Sequence, residues 1–221
     1  VNLLHVDVPA VYALLGWALL APALGLAWRR CRGPFLELGL AEDLWLGGAV
    51  GIALLWTLEI KVGGGPRFGM LGSALFVLVF GPARGLLGLV LALLLHTGLD
   101  HGSWRNVGIN GLLLAVVPAL IAGAMQRTLE ARLPRNPFVF MIGNGMFTTL
   151  AATAATSLAL IATALASGAA PPVADLDAYL GAALLLAWSE AIVSGMLFSA
   201  LVVFQPGLVQ TYRPELYGMR R

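Results

Sequence analysis

The chain alternates long apolar runs with short stretches that hold most of its glycine, proline and charged residues. Apolar runs at about 9–28, 43–60, 69–81, 84–98, 107–125, 137–166 and 178–204 read as membrane helices, for which about 20 apolar residues suffice to span a bilayer. The pattern predicts an all-α polytopic membrane helical bundle of about seven transmembrane helices, with residues 1–221 as a single integral membrane domain. The run at 69–81 is too short to cross roughly 30 Å of hydrocarbon as a helix. Gly81-Pro82 after it predicts a turn rather than one long kinked helix, because a continuous helix would strand Arg84 near mid-membrane at about 2.5–3.5 kcal/mol or more. A short third span requires the segment before it to supply the missing depth. "KVGGGPRFG", residues 61–69, is therefore expected to dip into the bundle, where irregular backbone is tolerated if it is buried in protein or lines a cavity.

Charge then orients the bundle. Arg29, Arg30, Arg32, Arg84, Arg127, Arg132, Arg135, Arg213, Arg220 and Arg221 fall on one side of these spans, and Lys61, Arg67 and Arg105 on the other. The positive-inside rule puts the first group in the cytoplasm, with the N-terminus outside and the C-terminus inside. Small residues at helix-packing spacing, Ala23 and Ala27, then Ala151, Ala155 and Ala159, predict close helix contacts.

Composition agrees with a membrane protein. Charged residues make up 11% against 59% hydrophobic, and the mean hydropathy is +0.89. Soluble domains carry about 25% charged residues, so a sizeable soluble domain is excluded. The net charge of +2 follows from the cytoplasmic arginines, and no nucleic-acid partner is expected. No basic region precedes the first run and no small-residue cleavage pattern follows it, so no signal peptide is predicted. The single Cys31 cannot form an internal disulfide and is expected to be an inert inner-face thiol.

The rare polar chemistry collects on the predicted outer side. His96 ends the fourth span, Asp100 and His101 follow it in "LHTGLDHGSWRNVGINGLL", His5 and Asp7 precede the first span, and Glu59 ends the second. Neutral imidazole is the commonest ligand for transition metals, and carboxylates complete such sites or orient a ligating histidine. The candidate metal ligands are thus His5, His96, His101, Asp100 and Asp7. His96 and His101 do not share a helix face, but a break at Gly98 would let both turn inward. Plainer roles stay open: His96 as a hydrogen-bonded interfacial histidine, Asp100 and His101 as solvated loop residues, His5 as a terminal residue. "SWRNVGIN" can likewise anchor the interface through Trp104 and Arg105, with Asn110 capping or bonding across helices. Glu190, the deepest acid, is read either as a protonated group bonded to Ser189, Ser194 or a neighbouring helix, or as part of a transport path. "MIGNGMF", with Asn144 between two glycines, suggests close packing around a polar bond. No G-x-x-x-x-G-K-[ST] loop occurs, so ATP-driven work needs a partner. Ser194 has no histidine on the inner-side spans to activate it, and no enzyme is predicted.

"RFGMLGSALFVLVFGPARGLLGLVLALLLHTGLDHGSWRNVGINGLLLAVVPALIAG" resembles the core of the CbiM/NikM-type permeases, the substrate-capturing membrane subunits of energy-coupling factor transporters for cobalt and nickel. The matching stretches are Phe68-Gly69-Met70-Leu71-Gly72-Ser73, Phe80-Gly81-Pro82, His96, His101-Gly102-Ser103 and Val107-Gly108-Ile109-Asn110. The resemblance implies the family fold in a bacterial-type cytoplasmic (inner) membrane, multi-pass in the lipid bilayer. It also implies an energy-coupling factor scaffold membrane subunit and ATPase subunits as partners, and a metal-ion substrate. Cobalt and nickel members use a histidine in second position, the free amine nearby and a glycine-loop histidine; here Asn2 and Gly69 stand in those places. The expected function is therefore substrate capture for an energy-coupling factor ABC-type uptake system, for a divalent transition-metal ion (Ni, Co, Cu or Zn), through ligands rebuilt around the outer histidines. No cofactor of the protein's own is expected. Such capture needs neutral imidazoles and should weaken as pH falls through about 6.5. A stand-alone membrane metalloprotein and a structural membrane subunit without metal are the other classes the residues allow.

Overall fold

The computed structural model describes residues 2–31, 39–61, 67–134, 136–168 and 176–212. Among these, seven helices form the bundle: α1 (Ala10–Cys31), α2 (Gly39–Trp56), α3 (Ser73–Phe80), α4 (Pro82–Leu99), α5 (Trp104–Arg132), α6 (Pro137–Ala166) and α7 (Leu176–Phe204). Five of them, α1 and α4 to α7, are long and apolar enough to cross a membrane. The helical bundle predicted from the apolar runs is thus the architecture found. One small addition to it is an antiparallel hairpin of β1 (Glu59–Lys61) and β2 (Arg67–Gly69), in the register Glu59↔Gly69, Ile60↔Phe68 and Lys61↔Arg67.

The expected turn after the third apolar run is present. Gly81 has φ 81° and ψ 162°, a backbone conformation open essentially to glycine alone, and Pro82 opens α4 at a position where its missing N–H is no loss. α3 and α4 consequently fold against one another. α3 has 8 residues, a rise of about 12 Å, too short to span. Of the segment expected to dip inward, Arg67 to Gly69 are strand; Met70 to Gly72 lead from it to α3, and the amides of Leu71 and Gly72 there meet the buried Glu190. Residues 62–66 of the glycine segment, together with Arg32, Arg135, Arg213, Arg220 and Arg221, lie outside the described residues.

Connections fix the helix directions. Tyr12 near the start of α1 donates to the carbonyl of Ala166 at the end of α6 (2.9 Å), and Trp45 in α2 donates to the carbonyl of Arg84 at the start of α4 (3.0 Å). The Ser103 amide just past α4 donates to the Leu4 carbonyl just before α1 (3.0 Å), and Arg67 of the hairpin bonds Asp100 at the end of α4, so these share one end of the bundle. Arg29, Arg30, Arg84, Arg127 and Arg132 gather toward the other.

Apolar burial does not drive helices together in lipid, so close backbone approach must contribute. The tightest crossing joins α1 to α5, where a Cβ on Gly16 would lie 2.3 Å from the amide nitrogen of Ile109 and one on Gly108 would lie 2.6 Å from that of Trp17. The predicted alanine stripes are less central. Ala27 is buried, but Ala151, Ala155 and Ala159 are half-buried, and the interior face of α6 is instead Ala152, Thr153, Thr156 and Ser157. Leu14, Leu184, Leu185, Met196 and Phe204 are exposed on the outside, as a surface facing lipid tails requires. Cys31 is buried at the end of α1.

Two helices contain π-helical stretches, Leu112–Val116 in α5 and Met141–Thr148 in α6. The second holds Asn144, which is buried as the close packing expected of "MIGNGMF" requires, but its side-chain amide makes no hydrogen bond among the described residues, so the expected polar bond is not found.

Candidate functional site

The hairpin end of the bundle is built around an inserted N-terminal segment. Leu3, Leu4 and Val8 are buried, so the polar backbone between them needs internal partners. Asn110 supplies one, its Oδ1 accepting from the Leu3 amide at 2.8 Å. Asn106 supplies two more, its Nδ2 donating to the carbonyls of Leu3 and Val6 at 2.9 Å each. The Ser103 amide donates to the Leu4 carbonyl (3.0 Å), and Arg105 donates to the Val8 carbonyl (2.8 Å). Asn2 lies against β2, its amide donating to the Arg67 carbonyl (3.2 Å). The "SWRNVGIN" stretch is therefore a cradle for the N-terminal segment, and Asn110 bonds the non-helical Leu3 rather than a neighbouring helix.

Beneath that segment, ligand atoms of Glu59, His96 and Asp100 all lie within 4.8 Å of one another. Glu59 comes from β1 directly after α2, His96 from the last turn of α4, and Asp100 from the residue that caps it. His96 is 0% exposed. Trp56 packs edge-on to its ring with centroids 6.0 Å apart, and neither ring nitrogen has a hydrogen-bond partner. The carboxylates, in contrast, are engaged. Glu59 accepts from Asn2 Nδ2 (2.6 Å) and from Arg67 Nη1 (2.8 Å). Asp100 Oδ2 meets His5 Nε2 (2.5 Å) and Arg67 Nη1 (3.1 Å). Burial by itself would raise the Asp100 carboxyl; the hydrogen bond from His5 and the positive charges of His5 and Arg67 outweigh it and hold the group below its ordinary value.

The candidate ligands thus divide. His96 and Asp100 converge, and His5 reaches the cluster through Asp100. His101 and Asp7 are exposed and stand outside it. Gly98 does not break the helix, as the inward placement of His101 required; α4 continues to Leu99 and ends in a turn in which the Gly102 amide donates to the Thr97 carbonyl (3.0 Å). His101 occupies the left-handed position of that turn, with φ 51°, and the chain reversal leaves it at the surface. The sequence puts Glu59 on this face without marking it as a ligand. Its position after an apolar run and before a glycine-rich segment was the available signal, and the hairpin that folds it back was not visible in periodicity.

Glu190 sits elsewhere, in α7, and is also 0% exposed. Its two oxygens accept from the backbone amides of Leu71 (2.9 Å) and Gly72 (2.7 Å). It bonds neither Ser189 nor Ser194: Ser189 donates to the Leu186 carbonyl instead. The carboxylate holds the entry of α3, at the point where the chain dips into the bundle.

The comparisons with known proteins bear on the whole chain. A family model described as the cobalt uptake substrate-specific transmembrane region, CbiM, matches residues 7–208. A solved structure of a transition metal transporter is similar at 16% identity, covering 94% of this chain and 93% of that one, with a TM-score of 0.71. A truncated transition metal transporter is similar at 20% identity over 92% of this chain and 99% of that one, with a TM-score of 0.73. No curated protein matches. At such identities the structures establish the shared fold. The family match spans the helices that build the site, from the segment before α1 to the turn after α7, and the chain accordingly belongs to the CbiM family, as a multi-pass membrane component of metal uptake.

Proposed function

We propose that this protein captures a divalent transition-metal ion from the extracytoplasmic side and acts as the substrate-binding membrane subunit of an energy-coupling factor uptake system. His96 carries the reading. A wholly buried imidazole with both nitrogens unpartnered is costly unless something is meant to bind it, and two carboxylates stand within ligand distance of it. One nitrogen and two oxygen donors suit nickel, cobalt, copper or zinc, and two carboxylates neutralise a divalent charge. His5 is placed behind Asp100, where it orients that carboxylate. The Trp56 edge and the inserted N-terminal segment exclude bulk water from the imidazole, which binds in its neutral form.

The arginines gathered at the opposite end support an extracytoplasmic site. The sequence has no phosphate-binding loop, so ATPase subunits and a scaffold membrane subunit would supply the energy. Purification in mild detergent with elemental analysis tests this reading. The expected outcome is a bound transition metal and co-purifying ATPase, with metal lost in His96→Ala and Glu59→Gln variants. Unchanged metal content in His96→Ala, Glu59→Gln and Asp100→Asn variants would place the ion elsewhere.

A further inference from the structure

The two carboxylates of the site already share a cation, and it belongs to the protein. Arg67 Nη1 lies 2.8 Å from Glu59 Oε1 and 3.1 Å from Asp100 Oδ2, between two of the three groups that would hold a metal ion. We propose that Arg67 is a tethered placeholder: its guanidinium fills the site when no ion is bound, must swing out for an ion to enter, and thereby sets which cations the site retains. This inference rests on the reading of Glu59, His96 and Asp100 as the capture site.

Charge makes the two occupants exclusive. Two carboxylates are neutralised by one divalent ion, and a guanidinium left in place would add an uncompensated positive charge beside it. The backbone need not move, since Arg67 is pinned in β2 by its carbonyl bond to the Asn2 amide. Its side chain is 20% exposed, so a path to solvent is open. Arg67 bonds one oxygen of each carboxylate, beside Asn2 on Glu59 and His5 on Asp100, and leaves His96 without a partner. An imidazole-preferring transition metal gains that ligand in displacing Arg67. Magnesium or calcium, which favour oxygen donors, must compete on the carboxylates alone. Apparent affinity for every cation falls by the fraction of molecules with the guanidinium out. That common factor pushes weakly held hard cations below occupancy and leaves transition metals bound.

The test is calorimetric titration of the purified full-length protein in detergent with Ni2+, Co2+ and Ca2+, comparing wild type, Arg67→Gln and Arg67→Lys. Arg67→Gln should bind all three more tightly by one shared factor of about tenfold or more, the expectation for an opened state populated at about 10% or less. Arg67→Lys, which keeps a cation on the same strand, should stay near wild type and controls for folding of the hairpin. Nickel binding by wild type with equal or weaker binding by Arg67→Gln overturns the placeholder and leaves the capture site standing, as does equal behaviour of the Gln and Lys variants. Binding by none of the three overturns the capture site and the placeholder together.

Discussion

His96 and Glu190 are both fully buried and ionisable, yet their surroundings are opposite. Glu190 has an acceptor bond on each oxygen, to Leu71 and Gly72, whereas His96 has a partner on neither nitrogen. A buried polar group with its hydrogen bonds complete stabilises the fold it belongs to, because removing it strands its partners. One left incomplete weakens the fold and is available to a ligand. The same chain thus holds a hydrogen-bonded carboxyl group at the entry of α3 and an imidazole with both nitrogens unpartnered at the end of α4, and burial alone does not distinguish them.

Substitution should separate the two most sharply at Glu190. Glu190→Leu leaves the buried Leu71 amide and the half-buried Gly72 amide without acceptors, at about 1–3 kcal/mol for the first and less for the second, so thermal unfolding in detergent should show a loss of roughly 2–4 kcal/mol. A variant as stable as wild type would mean that α3 does not depend on this carboxylate. His96→Leu should do the reverse. It removes two unpartnered nitrogens and keeps the apolar contact with Trp56, so stability should hold or rise, while nickel affinity falls by about a hundredfold, equivalent to about 2.7 kcal/mol. Loss of folding with retained metal binding would invert the assignment.

Asn110→Ala is expected to sit between them, since it withdraws the acceptor of the buried Leu3 amide. About 1–3 kcal/mol of stability should go with it, and the N-terminal segment should become sensitive to limited proteolysis. Protection equal to that of wild type would show the segment to be held without it. The smallest effect belongs to His101→Gly. Glycine relieves the left-handed conformation at φ 51° while adding freedom to the unfolded chain, for a net gain of about 0.5–1 kcal/mol. Metal affinity should not change. A drop of tenfold or more on titration would bring His101 back among the ligands.

The sequence by itself determined the elements whose information is local. Apolar run lengths delimited the helices, Gly81-Pro82 marked the turn between α3 and α4, and the spread of arginines separated the two ends of the bundle. It also singled out Glu190, because a carboxylate in an apolar run stands out in any window, and it collected His5, His96 and Asp100 on one face. Tertiary structure alone decided which polar groups meet. His5 and Asp100 are 95 positions apart, Leu3 and Asn110 are 107 apart, and Leu71 and Glu190 are 119 apart. Periodicity reports which face of an element is apolar and says nothing of such distant pairs. A hairpin three residues deep brought Glu59 into the cluster, and a single left-handed residue after Asp100 carried His101 out of it. Both are set by hydrogen bonds between segments, which only the folded chain brings within reach.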